Sequence, residues 1–150
     1  MKYRILGNIS GKQYDSLLRI AIKHSNAFGL STFKRVHRKN LSDYYFELLN
    51  ALSAYEIKDI YDWSLSPHYE SGQAIHIYLL NEITERLLAQ RDGLYTWRIP
   101  DCPENLSFYR NKNAWLTSIS HERFCFLNNA PAEALRDLQK EGFDLLSIEG

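Results

Sequence analysis

The residues best equipped for chemistry crowd into one stretch, Leu94 to Leu127, which holds both cysteines, two of the three tryptophans and the only His-Glu dipeptide. His121 could act as a general base with Glu122 or Glu104 as its acidic partner. Ser118 or Ser120 could supply a hydroxyl, the ingredients of a small hydrolase or transferase. Adjacent side chains on a strand point to opposite faces, so an extended His121-Glu122 pair could not orient itself, and no oxyanion loop accompanies it. His121 therefore reads first as a structural or interface residue. Cys125 stands between Phe124 and Phe126, company that raises a thiol pKa and makes it core rather than nucleophile.

Metal and cofactor chemistry finds little support. The five histidines, His24, His37, His68, His76 and His121, form neither an H-x-x-x-H nor an H-E-x-x-H pair, so any zinc or iron site would have to be assembled by the fold alone. No cofactor is expected. Cys102 and Cys125 lack C-x-x-C spacing and are too few for a disulfide framework, which suits small apolar residues in a reducing compartment.

Two further stretches could bind. The basic run Lys34-Arg35-Val36-His37-Arg38-Lys39 could hold a phosphate or an acidic partner. Without a glycine-rich cradle or interleaved stacking aromatics it reads more simply as a solvated strand end or loop. From Tyr55 to Trp63, aromatic residues alternate with charges, and Glu56, Asp59, Asp62 and Trp63 have the character of a protein-binding surface: rigid anchors beside carboxylates that steer a basic partner. A half-buried strand explains the same alternation, and charges on an edge strand also prevent aggregation.

These residues must be positioned by one domain. The 150 residues, 45% of them hydrophobic, suffice for a single core and are too few for two comfortable ones. Lysine plus arginine balances aspartate plus glutamate at 18 each, so no global field attracts a polyanion, and general nucleic-acid binding is disfavoured. No run of eighteen apolar residues and no signal-peptide pattern is present, so a soluble, cytoplasmic chain without membrane association is expected.

The hydrophobic period switches between two and about three and a half, the pattern of an α+β domain with a mixed or mostly antiparallel sheet and about four helices. Strands are expected at Lys2–Ile9, around Phe28, Leu30 and Thr32, at Ala74–Leu80, and at Phe143–Ile148. Helices are expected at Gly11–Ser25, at Leu41–Leu52 with Asn40 or Ser42 as cap, and from the Asn81 cap towards Gly93. A last helix should begin with Pro131 in its first position and stop at Gly142. Tyr55–Trp63 suits a strand, or a helical continuation from Leu52. Ser66–Gly72 is the clearest loop. Tyr95, Trp97 and Ile99 alternate like a strand, and Asn111-Lys112-Asn113 should turn a C-terminal β-hairpin, Leu106–Arg110 into Ala114–Ser120, with the return strand running or kinking on to Leu127. Phe108 and Trp115 could meet across it, and Arg110 could pair with Glu104 or Glu122 to lock the corner.

The segment Tyr95, Trp97, Pro100, Pro103, Glu104, Leu106, Phe108, Tyr109 and Arg110, followed by Trp115 and Ser120-His121-Glu122, resembles a family of small uncharacterised bacterial proteins. They carry Y-x-W-x-x-P-x-x-P-E-D-L-x-F-Y-R, an aromatic strand and S-H-E or A-H-E. Asn105 departs from the commoner acidic residue. Tyr55-Glu56-Ile57 and His76-Ile77-Tyr78 look similar too. Members are often labelled stage III sporulation protein AH, although the sporulation protein of that name is membrane-anchored and no anchor is expected here. The family's small size and lack of a catalytic signature are similar to those of immunity proteins, which neutralise a toxin delivered by a neighbouring cell. The resemblance implies a non-enzymatic protein-binding role, with a toxin or other cognate protein as partner and Glu56, Asp59, Asp62, Trp63, Glu104, Arg110, Trp115, His121 and Glu122 as the positions to inspect. The alternatives are the His121 hydrolase or transferase and an anion-binding module using Lys34–Lys39.

Overall fold

The computed structural model describes residues 1–64 and 72–148. Among these residues seven strands and four α-helices follow one another as β1 (Lys2–Ile5), α1 (Lys12–Lys23), β2 (Ala27–Phe33), α2 (Asp43–Leu52), β3 (Gln73–Leu79), α3 (Glu82–Ala89), β4 (Glu104–Arg110), β5 (Asn113–Ile119), β6 (Phe124–Asn128), α4 (Ala132–Lys140) and β7 (Leu145–Ser147). The strands form one antiparallel sheet in the order β3-β2-β4-β5-β6-β1-β7. This is the α+β single domain that the switching hydrophobic period implies.

One register row explains why these strands assemble. Tyr78, Phe28, Phe108, Leu116, Leu127 and Tyr3 lie opposite one another across six neighbouring strands. Residues in register share a face, so the row makes a continuous apolar ridge. The helices cover that ridge: Tyr14, Leu17 and Ala21 of α1, Leu48 and Leu52 of α2, Leu88 of α3, and Ala134 and Leu138 of α4 belong to the same core. Ser42 caps α2 by accepting the Tyr45 N–H, and Asn81 opens α3 with a capping box completed by Thr84. Gly142 follows α4 at φ 85°, a conformation that favours glycine. Pro131 sits one place earlier than expected, at the N-cap of α4, where its extended backbone leads into the helix.

The opposite face carries a smaller cluster, Ala27, Ile77 and Tyr109, against which Ile57, Ile60 and Trp63 pack. Here Gly29 is obligatory in shape: a Cβ would lie 2.9 Å from Ser107 Oγ and 3.0 Å from the Tyr109 ring.

Three expectations are corrected. Tyr55–Trp63 forms neither a strand nor a continued helix: a 3-10 turn at Ser53–Tyr55 gives way to an irregular strap with a single bridge, Glu56 to Tyr78. Its packed residues, Ile57, Ile60 and Trp63, are spaced by three, which a two-residue strand repeat cannot bury on one face. Tyr95–Ile99 is likewise not a strand, because a 3-10 turn at Leu94–Thr96 precedes an irregular approach through the cis Ile99-Pro100 bond. The expected hairpin forms between β4 and β5, with Asn111 (φ 50°) and Lys112 (φ 69°) both left-handed as a tight hairpin turn needs. The return strand does not run on to Leu127. It ends at Ile119, reverses through a 3-10 turn at Ser120–Glu122 with Arg123 at φ 57°, and comes back as β6. The expected loop at Ser66–Gly72 lies, apart from Gly72, outside the described residues, as does His68.

Candidate functional site

The expected chemical centre, around Glu104 and His121, is a corner built mainly to satisfy itself. Glu104 is almost fully buried; its Oε2 accepts the Ile99 N–H at 3.0 Å, and its Oε1 stands 3.5 Å from Nδ1 of His121. Thus the histidine does meet a carboxylate, through the 3-10 turn rather than through adjacency. Glu122, on the same turn, is exposed and makes no ion pair among the described residues. The neighbouring hydroxyls are committed elsewhere: Ser120 donates to the Trp97 carbonyl at 2.5 Å and Ser118 to the Leu106 carbonyl at 2.7 Å. Neither hydroxyl is hydrogen-bonded to His121 among the described residues.

The rest of the corner is backbone carpentry. Asn105 sits at φ 60°, its Oδ1 accepting the Ser120 N–H at 2.9 Å while its own N–H donates to Ser120 Oγ at 3.2 Å. Asparagine is among the few side chains that tolerate this conformation. The buried Trp97 donates from Nε1 to the Tyr14 hydroxyl, which donates onward to the Leu88 carbonyl. Burial pushes the Tyr14 phenol pKa well up, so it stays a neutral donor.

Arg110 does not lock this corner. It and Glu104 occupy opposite ends of β4, about 20 Å apart at strand rise, which no side-chain pair spans. Arg110 instead lines an asparagine-rich cavity of about 810 Å³ with Asn111, Asn113 and Asn128. Nor is Trp115 opposite Phe108. A register shift pairs Phe108 with Leu116 and leaves Trp115 as the extra residue of the bulge, buried in the same core with Nε1 donating to Ser25 Oγ at 2.9 Å. The cysteines are buried and free, and desolvation raises Cys102 to about 11 and Cys125 to about 12, far from nucleophilic.

The acidic-aromatic strap is a different kind of object. Its start is pinned by the Ile57 N–H donating to the Ile77 carbonyl at 2.7 Å; its end is pinned by the Ser64 N–H on the Lys112 carbonyl at 2.9 Å and by Asp62 paired with Lys112 Nζ at 2.6 Å. Trp63 lies against Tyr109 with ring centroids 5.6 Å apart. Between these staples Tyr61 is 88% exposed, flanked by exposed Asp59 and Asp62. The four expected binding residues of this stretch thus divide: Asp59 and Asp62 face outward, Trp63 anchors, and Glu56 turns inward.

Glu56 leads to a grouping that sequence reasoning missed. Its Oε2 lies 3.1 Å from Nδ1 of His76, and Nε2 of His76 lies 3.0 Å from Thr32 Oγ1. This carboxylate-imidazole-hydroxyl chain lies on the wall of a cavity of about 460 Å³ between α2 and the β2-β3 edge, with Tyr45, Tyr78, Phe46 and Leu49 around it. Glu56 orients the ring, and the half-exposed ring addresses the hydroxyl. Burial raises the pKa of Tyr78, reinforced by the charge of Glu56, and burial also raises that of Tyr45. The signal was partly visible, since Thr32 and His76 both fall on predicted strands. Their diagonal pairing across β2 and β3, set by Leu30 opposite His76, was not.

The Lys34–Lys39 run forms an exposed turn after β2, as its plainer reading holds, but two of its residues reach this cavity: Val36 lines it, and so does Arg38, whose guanidinium lies 4.4 Å from the Phe46 ring centroid. Among the described residues no group of three or more histidine, cysteine or carboxylate side chains is placed to hold a metal, and no helix is long and apolar enough to cross a membrane. In comparisons with protein families, curated proteins and solved structures, nothing matches this chain.

Proposed function

We propose that this chain is a non-enzymatic protein-binding domain that contacts its partner through the acidic-aromatic strap, with an immunity-type role, neutralising a cognate toxin, as its sharpest form. The observation that carries the reading is Tyr61, a large aromatic side chain held 88% exposed on a segment stapled at both ends. A rigid exposed aromatic loses little conformational freedom when a partner buries it, and residues of this type dominate binding energy at interfaces. Asp59 beside it supplies negative charge, while Asp62 is part-neutralised by Lys112, so the complementary surface is basic. The sequence resemblance to small immunity-like proteins points the same way.

The test is affinity capture from native lysate with the wild-type chain and with Tyr61→Ala and Asp59→Asn in parallel, read by mass spectrometry. A stoichiometric protein retained by the wild type, weakened by both substitutions and released by moderate salt supports the reading, as does a secreted toxin encoded beside this gene. No stoichiometric partner, or one that both variants hold as tightly, would sink it.

A further inference from the structure

The cavity between α2 and the β2-β3 edge goes beyond the strap, and we infer that it is a binding site for a small carboxylate with a compact aromatic or branched apolar body. Three features converge on that chemistry. The volume, about 460 Å³, lies in the range of small-molecule pockets. Its walls are apolar, from Val36, Leu41, Phe46 and Leu49, and would desolvate a hydrocarbon or aryl group.

The polar groups lining it are mostly donors awaiting an acceptor. The phenol hydroxyls of Tyr45 and Tyr78 make no hydrogen bond among the described residues, and neither is sealed from solvent. Both line the cavity, so both can donate to a ligand that supplies oxygen lone pairs. The acceptor already present, Glu56, is engaged by His76 and by Lys58 at 3.5 Å, and Thr32 is engaged by His76. Arg38 completes the donor set. Its guanidinium is stacked on Phe46 and makes no ion pair among the described residues, so a ligand carboxylate meets a cation that is already oriented.

An uncharged apolar ligand would leave Arg38 and both phenols unused, and a cation would face Arg38 directly. A phosphate without an apolar body would leave the walls empty.

The probe is 3-phenylpropanoate, titrated into the full-length chain and followed by NMR and calorimetry, with 3-phenylpropan-1-ol as the neutral counterpart. Saturable binding with shifts at Tyr45, Tyr78 and His76, and affinity for the alcohol lower by about tenfold, is expected. Arg38→Gln should weaken the carboxylate by about tenfold and leave the alcohol unchanged. Leu49→Trp should fill the cavity and abolish binding of both. Arg38 is an exposed side chain, so its substitution reports on binding even if Leu49→Trp disturbs the fold. Failure of the carboxylate to bind at millimolar concentration, equal affinity for the alcohol, or an Arg38→Gln variant that binds as tightly would each overturn the inference.

Discussion

The corner at Trp97–His121 and the strap at Glu56–Ser64 contain the same kinds of residue, aromatic, acidic and hydroxyl-bearing, and use them oppositely. In the corner the buried polar side chains are turned inward onto backbone: Glu104 onto the Ile99 N–H, Ser120 onto the Trp97 carbonyl, Asn105 onto the Ser120 N–H. In the strap only the ends are tied down, and the middle presents Tyr61 and Asp59 to solvent. A motif dense in chemistry is thus no guide to a site. What separates the two is whether the polar groups are spent on the chain's own backbone.

The comparison can be broken at its strongest point. Trp97→Ala removes a fully buried indole and the hydrogen bond it gives the Tyr14 hydroxyl, and should destabilise the fold by about 3–5 kcal/mol in urea denaturation. A loss under 1 kcal/mol would show that the corner is not structural. Glu104→Ala leaves the Ile99 N–H without its acceptor and should cost roughly 1–3 kcal/mol. If Glu104→Ala instead left stability intact and altered a measurable activity, the His121 pairing would regain a chemical meaning.

Acid should sharpen the contrast by loosening the strap locally. The Lys112 hydrogen bond holds the Asp62 carboxyl below its ordinary 3.8. A depressed carboxylate pKa contributes stability that is complete above the unfolded value and is lost as pH falls through the folded one. Faster hydrogen exchange at the Ser64 and Ala114 amides is therefore expected below about pH 3.8, ahead of the corner amides, and Asp62→Asn should show the faster exchange at neutral pH as well. The smallest effect belongs to Tyr61→Ala, whose thermal stability should match the wild type within about 0.5 kcal/mol. A larger loss would mean that Tyr61 packs rather than presents.

Much of this architecture was legible. The α1 stripe of Tyr14, Leu17, Leu18, Ala21 and Ile22, the Ser42 and Asn81 caps, the Asn111-Lys112 turn and the Gly142 stop are local signals, each fixed within a few residues, and all appear in the fold, Ile22 at the half-buried margin of its stripe. The failures share a cause. Tyr55–Trp63 and Tyr95–Ile99 alternate like strands, yet the first touches the β3 edge only at Glu56 and Ile57 before packing Ile57, Ile60 and Trp63 onto the sheet face, and the second spends its N–H groups on local turns, so packing and single hydrogen bonds replaced a ladder. The misplaced Arg110 came from reading a seven-residue strand as a point.

By itself the sequence determined the four helices and their caps, the β4-β5 turn, the burial of both cysteines, the α+β class and the acidic-aromatic character of the strap. Periodicity, capping and turn chemistry act over one or two turns of chain, so they are written in neighbouring residues. Only the tertiary structure decided the β3-β2-β4-β5-β6-β1-β7 order, the inward turn of Glu104, and the meeting of Glu56, His76 and Thr32 beside Tyr78. His76 and Thr32 are 44 residues apart, and which strands pair is settled by the burial of the whole apolar row from Tyr78 to Tyr3, a property that no short stretch contains.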